Sequence, residues 1–131
     1  MAGYGVIPSI RVHDVPRALE FYRKLGFELQ RGSDDDDNLS LRRGDASIMI
    51  EKAAGFYSPA YNQAILARVG KPSANALYME AEDLELLYAQ VTEAGLKVID
   101  PLSNREWGQA EFTVEDPEGT WLTFWKVAGS S

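Results

Sequence analysis

One histidine, no cysteine and three tryptophans bound the chemistry open to this 131-residue chain. Without thiols there is no disulfide, thiolate zinc site, iron–sulfur cluster or cysteine nucleophile, and this usage fits a reducing, cytoplasmic setting. His13 stands one residue before Asp14 with no carboxylate or second histidine at helical i+4 spacing. It reads as a turn residue, exposed or locally hydrogen-bonded, and not as a ligand or general base. A G-x-S-x-G elbow and a Gly-rich phosphate loop are both absent. Trp107 differs: it lies in the loop Asn104–Arg105–Glu106–Trp107–Gly108, where burial of a large aromatic is not expected, so it reads as a ligand contact. The pair Arg42–Arg43 beside Gly44 and Asp45 reads as a solvated hairpin tip, and the run Asp34 to Asp37 as a solvated turn.

Twenty acidic against thirteen basic residues leave a net charge of −7. A phosphate backbone would be repelled, so no nucleic-acid partner is expected. An acidic surface steers cationic ligands, although many acidic proteins are acidic only for solubility. Met1 to Gly5 lacks the basic and apolar blocks of a signal peptide, and no apolar run approaches the roughly 20 residues of a membrane span. Neither export nor a membrane partner is expected.

The elements that would position these residues occur twice. DVPRALEFYRKLGFEL, from Asp14 to Leu29, aligns without a gap with DLELLYAQVTEAGLKV, from Asp83 to Val98, 69 residues on. Val15, Ala18, Leu19, Tyr22 and Leu25 follow helical apolar spacing, and Leu84, Leu87, Tyr88, Val91 and Ala94 repeat it. Asp14 and Asp83 stand as N-caps, and Gly26 and Gly95 as left-handed terminators, with Pro16 in the first turn. Short strands precede the helices at Val6–Val12 and Ala76–Ala81 and follow them at Phe27–Gln30 and Leu96–Ile99. Hairpins close each copy: Leu39–Arg42 with Ser47–Glu51, then Glu111–Val114 with Trp121–Val127. The order is βαβββ twice, an α+β single domain over 1–131. Module one spans about 5–52 and module two about 75–127. The intervening 53–74 is a linker or lid with Phe56, Tyr57 and Tyr61 and a short helix around Asn62–Val69.

The tandem order, the helix opening HDVPRALEFYRKLGFEL, the RRGD hairpin and the ending REWGQAEFTVEDPEGTWLTFW together resemble the vicinal oxygen chelate superfamily. Within it the pattern is most similar to the bleomycin resistance proteins and their glyoxalase and extradiol dioxygenase relatives. The resemblance implies tandem modules in a curved mixed-sheet cup with helices outside, and it leaves function open, because this fold hosts enzymes and drug-binding proteins alike. It also implies where metal-dependent members place four ligands: Ile7, Ala76, Glu51 and Thr123 here. Only Glu51 among them suits a catalytic divalent ion, so no metal and no cofactor are expected. Trp107 matches the tryptophan that bleomycin resistance proteins carry before their last hairpin.

Strand alternation from those positions divides the faces. Val6, Pro8, Ile10 and Val12, with Ile48 and Ile50, pack under the first helix; Leu77, Met79, Leu122 and Phe124 serve the second. The opposite face carries Arg11 and Glu51, then Tyr78, Glu111, Trp121, Thr123 and Trp125. Its mixture of aromatics and acids suits a planar or cationic organic molecule. For Trp125 the alternative is packing against the other copy or a partner chain. Glu51 is the candidate general base of an enzyme reading, a glyoxalase-like lyase or natural-product tailoring enzyme, and a buried Glu51–Arg11 pair is an equally simple structural account. The expectation is a metal-free homodimer that sequesters such a small-molecule ligand through Trp107, Trp121, Trp125, Tyr78, Glu51, Glu111, Arg11 and Thr123.

Overall fold

The computed structural model describes residues 5–53, 57–72 and 75–127. The chain divides into two compact units, Met1–Gly70 and Lys71–Ser131, and the two follow one plan.

The first unit runs β1 (Ser9–Val12), α1 (Val15–Lys24), β2 (Glu28–Arg31), β3 (Asn38–Arg43), β4 (Ala46–Lys52) and α2 (Pro59–Arg68). Its sheet has the order β1-β4-β3-β2, with β1 parallel to β4 and the other pairs antiparallel. Asp14 caps α1, its Oδ1 accepting from the Arg17 amide at 3.1 Å. Gly26, at φ 94°, turns the chain out of the helix, a backbone angle that side-chain-bearing residues resist. The stripe Val15, Ala18, Leu19 and Tyr22 is buried together with Ile10, Val12, Leu39, Leu41, Ile48 and Ile50 of the sheet. Phe27 closes this core edge-on against Tyr22, ring centroids 5.5 Å apart.

The second unit repeats this as β5 (Ala76–Glu80), α3 (Leu84–Glu93), β6 (Lys97–Asn104), β7 (Gln109–Glu115) and β8 (Trp121–Val127), in the sheet order β5-β8-β7-β6. Asp83 caps α3 through the Leu86 amide, again at 3.1 Å. Leu84, Leu87 and Val91 share the core with Phe112, Val114, Leu122 and Phe124. The α+β class and the doubled βαβββ order thus hold.

Four local readings need correction. The first strand begins at Ser9 and not at Val6, because its parallel rungs to β4 run only from Ser9–Met49 to Val12–Lys52. Val6, expected under α1, is 88% exposed. β6 reaches Asn104, well past Ile99, by absorbing register shifts on either side of Asp100. Pro101, which lacks a ladder donor, hides that extension from strand patterning. Arg43 is not a solvated tip: half-buried, it donates from Nε to the Leu25 carbonyl at 3.0 Å, satisfying an acceptor at the end of α1, and burial lowers its pKa. The expected linker helix is α2, which starts earlier, at Pro59, because Ser58 caps it through the Tyr61 amide. Phe56 lies outside the described residues.

Candidate functional site

Alternation along the strands sends every second residue to the face opposite the helix. On the first sheet that face carries Ser9, Arg11, Asn38, Ser40, Ser47, Met49 and Glu51, as the rungs Ser9–Met49–Ser40 and Arg11–Glu51–Asn38 require. Glu51, 4% exposed, meets three protein donors. Its Oε1 accepts from Arg11 Nε at 3.1 Å and Ser9 Oγ at 3.4 Å, and its Oε2 from the Tyr57 hydroxyl at 2.5 Å. Arg11 in turn donates from Nη2 to the Tyr61 hydroxyl at 2.9 Å and lies 5.8 Å from the centroid of that ring. Tyr57 and Tyr61 sit 4.5 Å apart. Asn62 fixes the approach, exchanging side-chain hydrogen bonds with both backbone groups of Tyr57. Partial burial alone would lower the Arg11 pKa, but hydrogen bonds to Tyr61, Glu51 and Tyr57 outweigh it and hold the guanidinium above its ordinary range. The hydrogen bond to Glu51, then desolvation, raises the Tyr57 phenol. The expected Glu51–Arg11 pair is therefore present, and it extends into a hydrogen-bonded network that reaches α2.

The second sheet presents Ala76, Tyr78, Glu80, Gln109, Glu111, Thr113, Trp121, Thr123 and Trp125 on the corresponding face. Glu111 is 6% exposed and is also engaged within its own unit. It accepts from the Tyr78 hydroxyl at 3.1 and 3.2 Å and from Gln109 Nε2 at 3.0 Å, with Arg105 Nε 3.7 Å away. Desolvation, followed by the bond to Glu111, raises the Tyr78 phenol. Trp125 pairs with Glu111 across β7–β8 and with Glu80 across β5–β8. Trp121 lies two rungs from Thr123 at the other end of β8, its Nε1 donating to Glu115 at 3.0 Å. This bond and, above all, the ion pair with Lys97 hold the Glu115 carboxyl below its ordinary pKa. Thr123 is 3% exposed, and its hydroxyl is shared with Thr113 at 2.7 Å. Trp107 stands in the tight β6–β7 turn that the Gly108 amide closes on the Arg105 carbonyl, and it is 63% exposed.

Of the residues singled out from sequence, Glu51 and Arg11 meet in the first unit. Tyr78, Glu111 and Trp125 cluster in the second, with Trp121 farther along the same face and Trp107 on its turn. Ser9, Tyr57 and Tyr61 were not singled out as site residues. The signal for the two tyrosines was a Ser58–Pro59 helix start that they flank, four residues apart.

The donor set at the four metal positions of the resemblance does not fit a divalent ion: Ile7 and Ala76 offer nothing, the Thr123 hydroxyl is committed, and Glu51 is taken up by Arg11 and hydroxyls. Among the described residues no three His, Asp or Glu side chains come together. The registers also correct the internal equivalence. With the helices aligned 69 residues apart, the partner of Ser9 is Met49 and that of Tyr78 is Thr123, so Thr123 corresponds to Met49 and Glu51 to Trp125.

The sequence matches no curated protein. Solved structures share the fold. TioX from Micromonospora sp. ML1 is 20% identical, with 95% of this chain and 99% of that one covered and a TM-score of 0.71. The bleomycin resistance determinant encoded on the transposon Tn5 is 19% identical, covering 96% and 99%, with a TM-score of 0.65. A bleomycin-binding protein complexed with bleomycin is 20% identical, covering 95% and 98%, with a TM-score of 0.63. The repeated strand–helix–hairpin unit seen here is what these proteins have in common, and a family model matches residues 6–124 of the sequence; the chain belongs to the glyoxalase/bleomycin resistance protein/dioxygenase superfamily.

Proposed function

We propose that the chain is a binding protein that sequesters a planar or cationic organic compound without a resident metal. One contrast supports this reading: each buried carboxylate is engaged by donors of its own unit, Glu51 by Arg11, Ser9 and Tyr57 and Glu111 by Tyr78 and Gln109, whereas the Tyr78 and Trp107 side chains stay 57% and 63% exposed. A catalytic carboxylate needs a lone pair facing substrate, and three protein donors already point at Glu51. Exposed rings offer stacking and cation–π contacts worth about 0.5–2 kcal/mol each. A superfamily fold shared with a bleomycin-binding protein agrees with such a role.

The test is tryptophan fluorescence quenching across cationic aromatics, neutral planar aromatics, glutathione conjugates and 2-oxoaldehydes. Saturable quenching by planar or cationic aromatics at micromolar concentration, about −8 kcal/mol, is expected. Trp107→Ala should weaken it about five- to thirtyfold if stacking supplies ~1–2 kcal/mol. Absence of saturable quenching by any class would sink the proposal. Turnover of a 2-oxoaldehyde or conjugate, abolished by Glu51→Gln, would make the protein a glyoxalase-like lyase or tailoring enzyme instead.

A further inference from the structure

β2 pairs Glu28 with Arg42 and Leu29 with Leu41, and unbroken pairing would next set Gln30 opposite Ser40. Arg31 stands there instead, across a register shift between Leu29 and Arg31. The extra residue is a bulge, and a bulge re-aims the side chains beyond it. Strict alternation would have sent Arg31 to the helix side with Leu29; the bulge delivers it to the face of Ser40, Met49 and Ser9. Gly32 completes the placement. At φ 90°, a Cβ on it would lie 2.9 Å from Leu39 Cβ and 3.2 Å from the Asn38 carbonyl oxygen, so β2 ends here against β3 only with glycine.

The guanidinium is then clamped by neutral groups. Nε donates to Ser40 Oγ at 3.2 Å, Nη1 to the Asn38 carbonyl at 3.3 Å, and Nη2 to Asn38 Oδ1. A guanidinium carries five N–H donors, so two remain without an acceptor among the described residues. The other arginines on this face are compensated, Arg11 by Glu51 and Arg42 by Asp45, 3.9 Å away. Arg31 is an oriented, exposed cation with no such carboxylate partner among the described residues.

We infer that Arg31, held by Ser40 and Asn38, is an oxyanion-reading subsite on the open face of the first unit that takes the carboxylate of a planar organic acid, an inference that rests on the proposed binding function. The expectation of a cationic ligand came from the acidic net charge and from the aromatics and acids of the open face; Glu28 shares this part of the face and Asp36 Oδ2 lies beside Gly32, yet neither forms an ion pair with Arg31, and a planar carboxylate matches a guanidinium fork.

The probes are 2-naphthoate and 2-naphthamide, matched in ring and volume, titrated by calorimetry while the Arg31 Nε–H resonance is followed by NMR. The acid should bind about tenfold more tightly than the amide and move that resonance. Arg31→Gln should bring the two within about twofold, and Arg31→Lys should keep part of the preference as a point charge. Equal binding of acid and amide by the unmodified protein, or a preference that survives Arg31→Gln, overturns the subsite and leaves the binding function standing. Failure of both probes to bind, with the resonance unmoved, also overturns the subsite, and the binding function then stands or falls on the quenching screen alone.

Discussion

Glu51 is the one carboxylate among the four positions that the sequence resemblance implied for a metal, and its surroundings make it a structural anion. It is buried, its countercharge is Arg11, and hydroxyls of Ser9 and Tyr57 donate to it as well. Removing one partner of such a pair leaves an uncompensated charge, which costs more than the intact pair contributes. Arg11→Met should therefore destabilise the fold by about 2–3 kcal/mol, below the range for a fully buried pair because the Arg11 side chain is 29% exposed. Adding Glu51→Gln should restore part of that loss, so the double variant is more stable than the sum of the singles predicts. Urea denaturation of the four proteins measures this coupling, and strict additivity would show that the pair is not coupled. The pair was foreseeable from the types and positions of Arg11 and Glu51. Its tyrosine members were not, because nothing in strand alternation says that a linker helix will fold back onto a strand of its own unit.

The two βαβββ copies use the same device to start their first helices. Asp14 and Asp83 accept the amide three residues on at an identical 3.1 Å, each satisfying one of the donors that a helix start leaves free. Asp14→Ala and Asp83→Ala should each cost about 1 kcal/mol, lowering the melting temperature by roughly 3–6 °C by circular dichroism. A loss confined to one of the two would show that the copies do not share this dependence. Helices, caps and terminating glycines were legible because their signals are local. The bulge in β2 was not: a one-residue shift against β3 is decided by which pairing leaves Leu29 and Leu41 on the helix side while Gly32 passes Leu39, and no pattern within β2 itself records it. β6 likewise outran its reading because its partner β7 sustains pairing past Pro101.

At the scale of the molecule, each unit has a four-stranded sheet with β1 and β2, or β5 and β6, at its edges. Among the described residues large apolar side chains remain exposed on the helices, Leu66 at 52% on α2 and Leu86 at 53% on α3. We propose that two copies associate, for which an isologous pair is the commonest solution. Light scattering at micromolar concentration should return twice the 14.5 kDa chain mass; the mass of one chain would refute the dimer. No helix among the described residues is long and apolar enough to cross a membrane.

By itself the sequence determined the α+β class, the doubled unit, the capped helices, the aromatic and acidic composition of the second sheet's open face, and the poverty of metal donors. Periodicity, caps and residue chemistry are properties of short segments, and they survive without knowledge of the partners. Only the tertiary structure decided which charges are spent and which are left. Glu51 is engaged by Arg11 and Tyr57 and Glu111 by Tyr78, donors from outside their own strands, while Arg31 is turned by a bulge onto a face where neutral groups hold it. Hydrogen-bond saturation depends on which side chains meet across strands, and that is fixed by register.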